Sequence, residues 1–320
     1  MSAPHSSSAP DERAANRSAP TALNTCAVFV TYHPDSDFCD HVRRVQQQLP
    51  HVIIVDNHSH SETVAMLQTF ASQGDGTVLL ANSDNRGIAT ALNQATGEAR
   101  QRGYEWILTF DQDSQCEPFL WSALTAIYAN DPAPHRIALI GSNYISSGTG
   151  RAVHRFPPGS PAAVTVPMCI TSASLTSLHA LAEVGSFEDA LFIDSVDTEL
   201  CLRFRAAHFR VLMSTRPLIR HSIGNQIVRH ILGLSICTSD HSAQRRYYMA
   251  RNRTLLARRF AFREFRCVWH DLLNLVEQVI VLVLFEADKW NKFKAYGRGI
   301  SDGLRGRTGR RELTESTRRG

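Results

Sequence analysis

Asp111-Gln112-Asp113-Ser114 is the stretch of this chain best suited to chemistry. It follows an apolar run, Trp106-Ile-Leu-Thr-Phe110, that reads as a strand. Two carboxylates at i and i+2 leaving a strand can converge on a hard divalent cation, which can in turn bridge the oxygens of a diphosphate. Asp and Ser also favour turns, so a solvated loop is the alternative. A second acidic stretch, Phe192-Ile-Asp-Ser-Val-Asp-Thr-Glu-Leu-Cys-Leu-Arg203, sets Asp194, Asp197 and Glu199 at the start of a helix. On a helix, Asp194 and Asp197 share a face and Glu199 turns away from both. Two carboxylates on one face raise the pKa of one, which suits it to accept a proton. The helix N-terminus opposes this by favouring the charged form.

These groups need a frame, and the first half of the chain supplies one. Cys26-Ala-Val-Phe-Val-Thr-Tyr, Val52-Ile-Ile-Val-Asp56, Val78-Leu-Leu-Ala and Trp106–Phe110 are short apolar runs. Helical spacing separates them over 38–49, 62–73 and 88–102. Near-continuous apolar strands alternating with helices predict a parallel sheet covered on both faces. Ligands in such sheets sit beyond the carboxyl ends of the strands. Each strand here ends in polar residues: Thr31 and Tyr32, Asp56 and Asn57, Asn82, then Asp111 and Asp113. Short strands at 137–140, 163–170 and 211–213 are expected around a helix over 176–184.

Composition bounds the class. The 320 residues are 43% hydrophobic and 20% charged, enough for a sizeable core. Disordered, collagen-like and small disulfide-scaffold classes are excluded. Net charge is only +4, too mild to imply nucleic acid. Seven scattered cysteines form no C-x-x-C pair, which fits a reducing, intracellular compartment. Residues 1–24 are Ser/Ala/Pro-rich without an apolar run, and read as a disordered leader rather than a secretory signal.

The motifs together resemble the large inverting glycosyltransferase family 2, and its bacterial rhamnosyltransferase branch in particular. The residues that carry the resemblance are Val28–Tyr32, Val55-Asp-Asn57, Asn85-Arg-Gly-Ile-Ala89 with Ala91-Leu-Asn93, Asp111–Ser114, Ile170–Leu175 and Phe192–Arg203. The resemblance implies a GT-A fold: a Rossmann-like α/β, mostly parallel sheet flanked by helices, over residues 25–240. It implies Mn²⁺ or Mg²⁺ held by Asp111 and Asp113, with His221 helping the metal or the leaving diphosphate. It puts Asp56 on the pyrimidine ring of the donor and Thr31, Tyr32, Asn82, Arg86, Gly87, Asn93 and Asp111 around the donor. Ser172 and Ser174 fall in a loop that touches the acceptor. The family's acidic pair before a helix is Val196-Asp197 here, which loses the Glu but keeps Asp197 as the expected base, with Asp194 as competitor.

What the resemblance implies overall is transfer of L-rhamnose from dTDP-β-L-rhamnose, with inversion, to a lipid-linked saccharide of an O-antigen or capsule. Another hexosyltransferase using a UDP- or GDP-sugar is one alternative, and an inactive nucleotide-binding scaffold is another. A Rossmann dehydrogenase is excluded because Thr31-Tyr-His-Pro stands where G-x-G-x-x-G would.

The last third changes character. Residues 244–266 read as an Arg-rich helix and 271–286 as a second helix, within a helical region spanning 241–296. The longest unbroken apolar run, Val279–Phe285, is far short of the roughly 20 residues of a spanning helix, so no transmembrane segment is expected. Leu272, Leu275, Val276, Val279, Ile280, Val283 and Leu284 cover one face. Seven arginines against three acids make 297–320 a basic tail, read as disordered. Each basic residue near an acidic lipid surface is attracted by about 1 kcal/mol. A peripheral protein on the inner face of the cytoplasmic membrane is expected, with the catalytic domain or a homodimer partner as the other covers for that helix.

Overall fold

The apolar runs at 25–31, 52–56 and 106–111 form parallel strands buried on both faces, and the run at 77–81 forms a half-buried edge strand beside them. In this computed structural model, which describes residues 18–74, 76–221, 227–231, 234–238, 240–311 and 313, β1 (Thr25–Thr31) lies between β2 (Val52–Asp56) and β4 (Trp106–Asp111). β3 (Thr77–Ala81) flanks β2, and all three pairings are parallel. The crossovers are α1 (Phe38–Gln46), α2 (Ser61–Ser72) and α3 (Ile88–Gln101). Alternation along β1 divides the core. Cys26, Val28 and Val30 join a cluster with Leu92 and Ala95 of α3, while Ala27 and Phe29 join Phe38 and Val42 of α1.

The second half makes the sheet mixed. It adds β5 (Gln115–Cys116), α4 (Leu120–Ala129), β6 (Ile137–Ser146), β7 (Ala163–Thr165), β8 (Ser174–Ser177), α5 (Leu178–Val184), α6 (Val196–Ala206) and β9 (Arg210–His221). The order is β3-β2-β1-β4-β8-β6-β9-β5, with β7 on β9. β8 runs antiparallel to both β4 and β6. The helix expected from Thr176 therefore begins only at Leu178. Thr176 pairs with Ile107 and Leu139, and the Ser177 hydroxyl caps α5 by accepting the Ala180 N–H. The strand expected over 163–170 shrinks to β7, and the one at 211–213 lengthens into β9. The six cysteines whose side chains are described are all free. Most of the expected leader lies outside the described residues, but the Ser18 carbonyl accepts the Trp106 indole N–H at 3.1 Å.

Beyond a hairpin of β10 (Ile227–Ile231) and β11 (Leu234–Thr238), three helices follow: α7 (Ala243–Phe260), α8 (Phe265–Phe285) and α9 (Lys289–Leu304). The sequence reading opens a disordered tail at Gly297, whereas α9 runs on to Leu304. Gly299 and Gly303 allow it to lie hard against α7, since a Cβ at either would stand 2.5 Å from the Tyr247 carbonyl or 2.7 Å from that of Arg251. Buried Asp302 accepts the Tyr247 hydroxyl at 2.9 Å.

α8 also begins earlier than expected, and its 21 residues, with an 18-residue stretch of mean hydropathy 1.6, are by length and composition long and apolar enough to cross a membrane. The unbroken run understates this length, because polar residues are diluted along a longer helix, but length and composition alone do not make α8 a span. Charged groups nevertheless tie it to its neighbours at two points. Arg253 Nε of α7 is 3.2 Å from Asp271, and buried Glu286 pairs with Arg246 of α7 and Lys292 of α9. The expected stripe is split: Leu275 packs inward with Val268 and Leu282, while Val276, Ile280, Val283 and Leu284 are exposed beside Trp269 and Leu273.

Candidate active site

The sheet register brings two acidic strand ends beside β1. Val30 pairs with Asp111 and Thr31 with Asp56. The Tyr32 N–H donates to Gln112 Oε1 at 2.8 Å, fixing the acidic turn after β4 to the end of β1.

Asp111, Asp113 and His221 form the one three-residue His/Cys/Asp/Glu group among the described residues that could hold a metal, with one ligand atom from each lying within 4.8 Å of the others. His221 arrives from the end of β9, a strand far away in sequence; its Nε2 is 3.7 Å from Asp111 Oδ2 and its Nδ1 is 3.6 Å from Asp113 Oδ1. Two carboxylates and an imidazole form a donor set that suits Mn²⁺, and the carboxylates alone suit Mg²⁺. Burial raises the Asp111 pKa; His221 pulls it down and Asp113 pushes it up again.

The acidic stretch after residue 189 is shaped by its backbone. Phe192, Asp194 and Ser195 all have positive φ, between 62° and 65°. Such conformations cost non-glycine residues roughly 1–3 kcal/mol each and cluster at functional sites. They turn the chain into α6, placing Asp197 in its first turn. Burial raises the Asp197 pKa to about 6; the Thr198 N–H bond opposes this, and the Asp111 and Asp194 charges add to it. Asp197 is thus electrostatically linked to Asp111. Asp194 Oδ1 receives Arg245 at 3.3 Å, and its buried Oδ2 has no hydrogen-bond partner. Glu199, by contrast, is 1% exposed and locked to Arg203 and Arg259 at 2.7 and 2.8 Å, which removes it as a base.

Several expected donor and acceptor residues sit differently. Asp56 is fully buried, and its Oδ1 accepts the Thr31 and Ser59 hydroxyls at 3.0 and 2.5 Å. Its Oδ2 accepts the Ser59 N–H at 2.9 Å, so this carboxylate closes the β2–α2 turn and offers no exposed surface to a base. Tyr32 is 47% exposed and heads a file of rings, 4.2 Å from His33, which is 4.2 Å from His60. Asn82 bonds Asn57 and Gln94, and Asn93 of α3 bonds both backbone groups of Phe187 and the Asp189 carboxylate. Asn57 Oδ1 also accepts the Arg86 N–H, which leaves the Arg86 side chain exposed at the rim. Gly87 has φ +84°, and a Cβ there would stand 2.5 Å from the Phe192 carbonyl, so the loop before α3 docks directly on the acidic turn.

Ser172 and Ser174, expected at the acceptor, are buried beneath the acidic turn. The Ser172 hydroxyl accepts the Asp111 N–H and donates to Ser114; Ser174 bonds the Ile170 carbonyl. Their place follows from β8 pairing with β4, which sequence spacing does not reveal. Sequence reasoning also misses Ser114, Gln112 and Arg245 as parts of the site. Ser114 and Gln112 stood within the acidic motif, but Arg245 comes from a helix read as separate.

Residues 31–170 match the profile of Glycosyl transferase family 2. Over 299 residues the chain is 28% identical to the dTDP-rhamnosyl transferase RfbF of Shigella flexneri, covering 89% of this chain and 97% of that one. The fold is shared with TarS residues 1–349 of S. aureus, at TM-score 0.58 and 11% identity, covering 88% of this chain and 81% of that one. It is also shared with GalNAc-T7, solved with UDP, GalNAc and Mn²⁺, at TM-score 0.52 and 12% identity; that match covers 66% of this chain and 44% of the other.

Proposed function

We propose that this glycosyltransferase, whose residues 31–170 match Glycosyl transferase family 2, moves L-rhamnose from dTDP-β-L-rhamnose to a hydroxyl of a lipid-linked saccharide, with inversion to an α-linkage. The observation that carries the reading is the convergence of Asp111, Asp113 and His221 into one group, with Asp197, whose pKa burial and the Asp111 charge raise to about 6, in the first turn of α6. The rhamnosyl assignment is supported by the relative whose name specifies that donor.

Asp111, Asp113 and His221 would hold Mn²⁺ or Mg²⁺, and the Mn²⁺ bound to GalNAc-T7 supports the choice. A bound divalent ion supplies positive charge to the donor diphosphate. Tyr32 and Arg86, both exposed, would meet the nucleotide. Inversion needs one displacement. The acceptor oxygen bonds to the anomeric carbon as the bond to the diphosphate breaks, and its proton passes to Asp197. A carboxylate titrating near 6 is charged at neutral pH yet basic enough to take that proton. Asp194, whose free oxygen faces no partner, is the second candidate.

The exposed face of α8 supports a seat on the inner face of the cytoplasmic membrane, where a lipid-linked acceptor would lie. Trp269, Leu273, Val276, Ile280 and Val283 recur at helical spacing, with Arg263 and Arg266 before them and Lys289 after. Ion pairs hold Asp271 and Glu286 to neighbouring helices, which supports a helix lying in the interface rather than spanning. The deciding experiment is a donor screen with purified protein and Mn²⁺. Release of dTDP from dTDP-rhamnose is expected; release only of UDP or GDP moves the assignment, and no release with any donor points to an inactive scaffold.

A further inference from the structure

We propose that Arg251 and Asn252 of α7, together with the segment that follows α9, are positioning residues that clamp the 190–195 turn and so set Asp194 and Asp197 in the cleft. This rests on the reading of Asp197 as base. The turn has three non-glycine residues at positive φ, which persist only where the surroundings over-determine them. Here the surroundings are specific. The Asn252 amide donates to the carbonyls of Leu191, Ile193 and Asp194 at 3.0, 2.7 and 2.8 Å. Arg251 Nη2 donates to those of Ala190 and Leu191 at 3.3 and 2.9 Å. Both side chains are fully buried. Of these two consecutive polar residues inside a helix, Asn252 spends its amide donors on the turn and Arg251 its Nη2, while Arg251 Nε donates to Asn252 Oδ1 at 2.9 Å and so ties the pair together.

The segment after α9 closes the clamp from outside. The Gly309 N–H donates to the Ala190 carbonyl at 2.7 Å, and the Gly309 carbonyl receives Arg251 Nη1 at 2.5 Å. The Tyr248 ring stacks on Phe192 with centroids 5.2 Å apart, and its hydroxyl donates to the Arg311 carbonyl at 3.0 Å. Arg310 Nη1 reaches the Asn85 carbonyl at 3.1 Å, in the loop that ends at Gly87. That loop meets the turn again where the Ile88 N–H donates to the Phe192 carbonyl at 2.8 Å. The C-terminal helices thus complete the active site, and a catalytic unit ending at residue 240 would lack its clamp. A reacting group misplaced by about 1 Å can lose 10²-fold in rate.

The test compares full-length Asn252→Ala, and a chain ended after Thr308, with the intact protein. Three readings are taken: kcat of transfer, affinity for the nucleotide sugar, and hydrogen exchange of residues 187–199. Both variants are expected to lose about 10²-fold in kcat, keep donor affinity within about twofold, and lose amide protection in that segment alone. Wild-type kcat in either variant overturns the clamp, as does a donor-affinity loss that accounts for the whole effect. Should Asn252→Ala fail to fold, the shortened chain decides, because α7–α9 remain whole in it. Exchange also separates the two ideas. An intact protein that transfers nothing defeats the proposed function, while unaltered protection of the turn in the variants defeats the clamp.

Discussion

Ser114 Oγ lies 2.8 Å from His221 Nδ1, and the same oxygen receives the Ser172 hydroxyl at 2.7 Å. Ser172 in turn accepts the Asp111 N–H at 3.2 Å. A short chain of hydroxyls therefore links the backbone of one acidic residue to the ring of the histidine beside it. It fixes the imidazole plane with Nε2 toward Asp111. Ser114→Ala is expected to weaken Mn²⁺ binding 10–100-fold, the usual cost of removing a partner of a metal-binding histidine. Calorimetric titration of the protein with Mn²⁺ reads this directly, and unchanged affinity would leave Ser114 with only a packing role.

Asp113→Asn should remove a charged ligand and leave the donor diphosphate poorly neutralised. Donor turnover should collapse while the circular dichroism spectrum and unfolding transition stay those of the intact protein. Full activity of the unaltered protein in EDTA would defeat the metal assignment.

Asp197→Asn should keep donor affinity and lose transfer by about 10²–10⁴-fold. In the intact protein, transfer should fall as pH drops through about 6, where the base becomes protonated. The stability effect has the opposite direction. The folded-state pKa, about 6, lies above the ordinary 3.8, so the folded protein binds the proton more tightly than the unfolded chain. This contribution is fully present below pH 3.8 and is lost as pH rises through 6. Thermal melts from pH 4 to 7 should therefore show a decline in the intact protein that Asp197→Asn lacks. If transfer survives in Asp197→Asn, Asp194→Asn is the variant to measure next.

Glu199 is buried and paired with two arginines, and this predicts a structural phenotype. Glu199→Ala leaves Arg203 without its charge partner and should destabilise the fold by about 3–5 kcal/mol. Denaturant unfolding measures it; a stable variant that has lost transfer would return Glu199 to the list of bases.

Val276 and Ile280 are 57% and 53% exposed on α8. Replacing both with Glu should cut binding to phosphatidylglycerol vesicles without lowering the thermal midpoint. Equal binding by the double variant in low salt would remove α8 from the membrane contact. A dimer in sedimentation velocity that the double variant splits would identify a second copy as its cover.

The local chemistry of this protein is written in its sequence. Continuous apolar runs buried on both faces can only be interior strands, and their polar ends mark the ligand side of the sheet. Asp111, Asp113 and Asp197 could be named from spacing and resemblance because each lies next to an element whose period is visible. The antiparallel insertion of β8 could not. Four residues of Ser, Leu and Thr carry no period long enough to separate a strand from the first turn of the helix that follows. Only pairing with β4 and β6 decides it, and that pairing is what buries Ser172 and Ser174 beneath the acidic turn. Asp56 shows the same limit, since a strand-end carboxylate looks free until the Thr31 and Ser59 hydroxyls close on it. Arg251 and Asn252 lie in a stretch that the sequence shows only as an Arg-rich helix. Their donors find the 190–195 turn only once α7 has folded back across a separation of some sixty residues, a contact that no local pattern encodes.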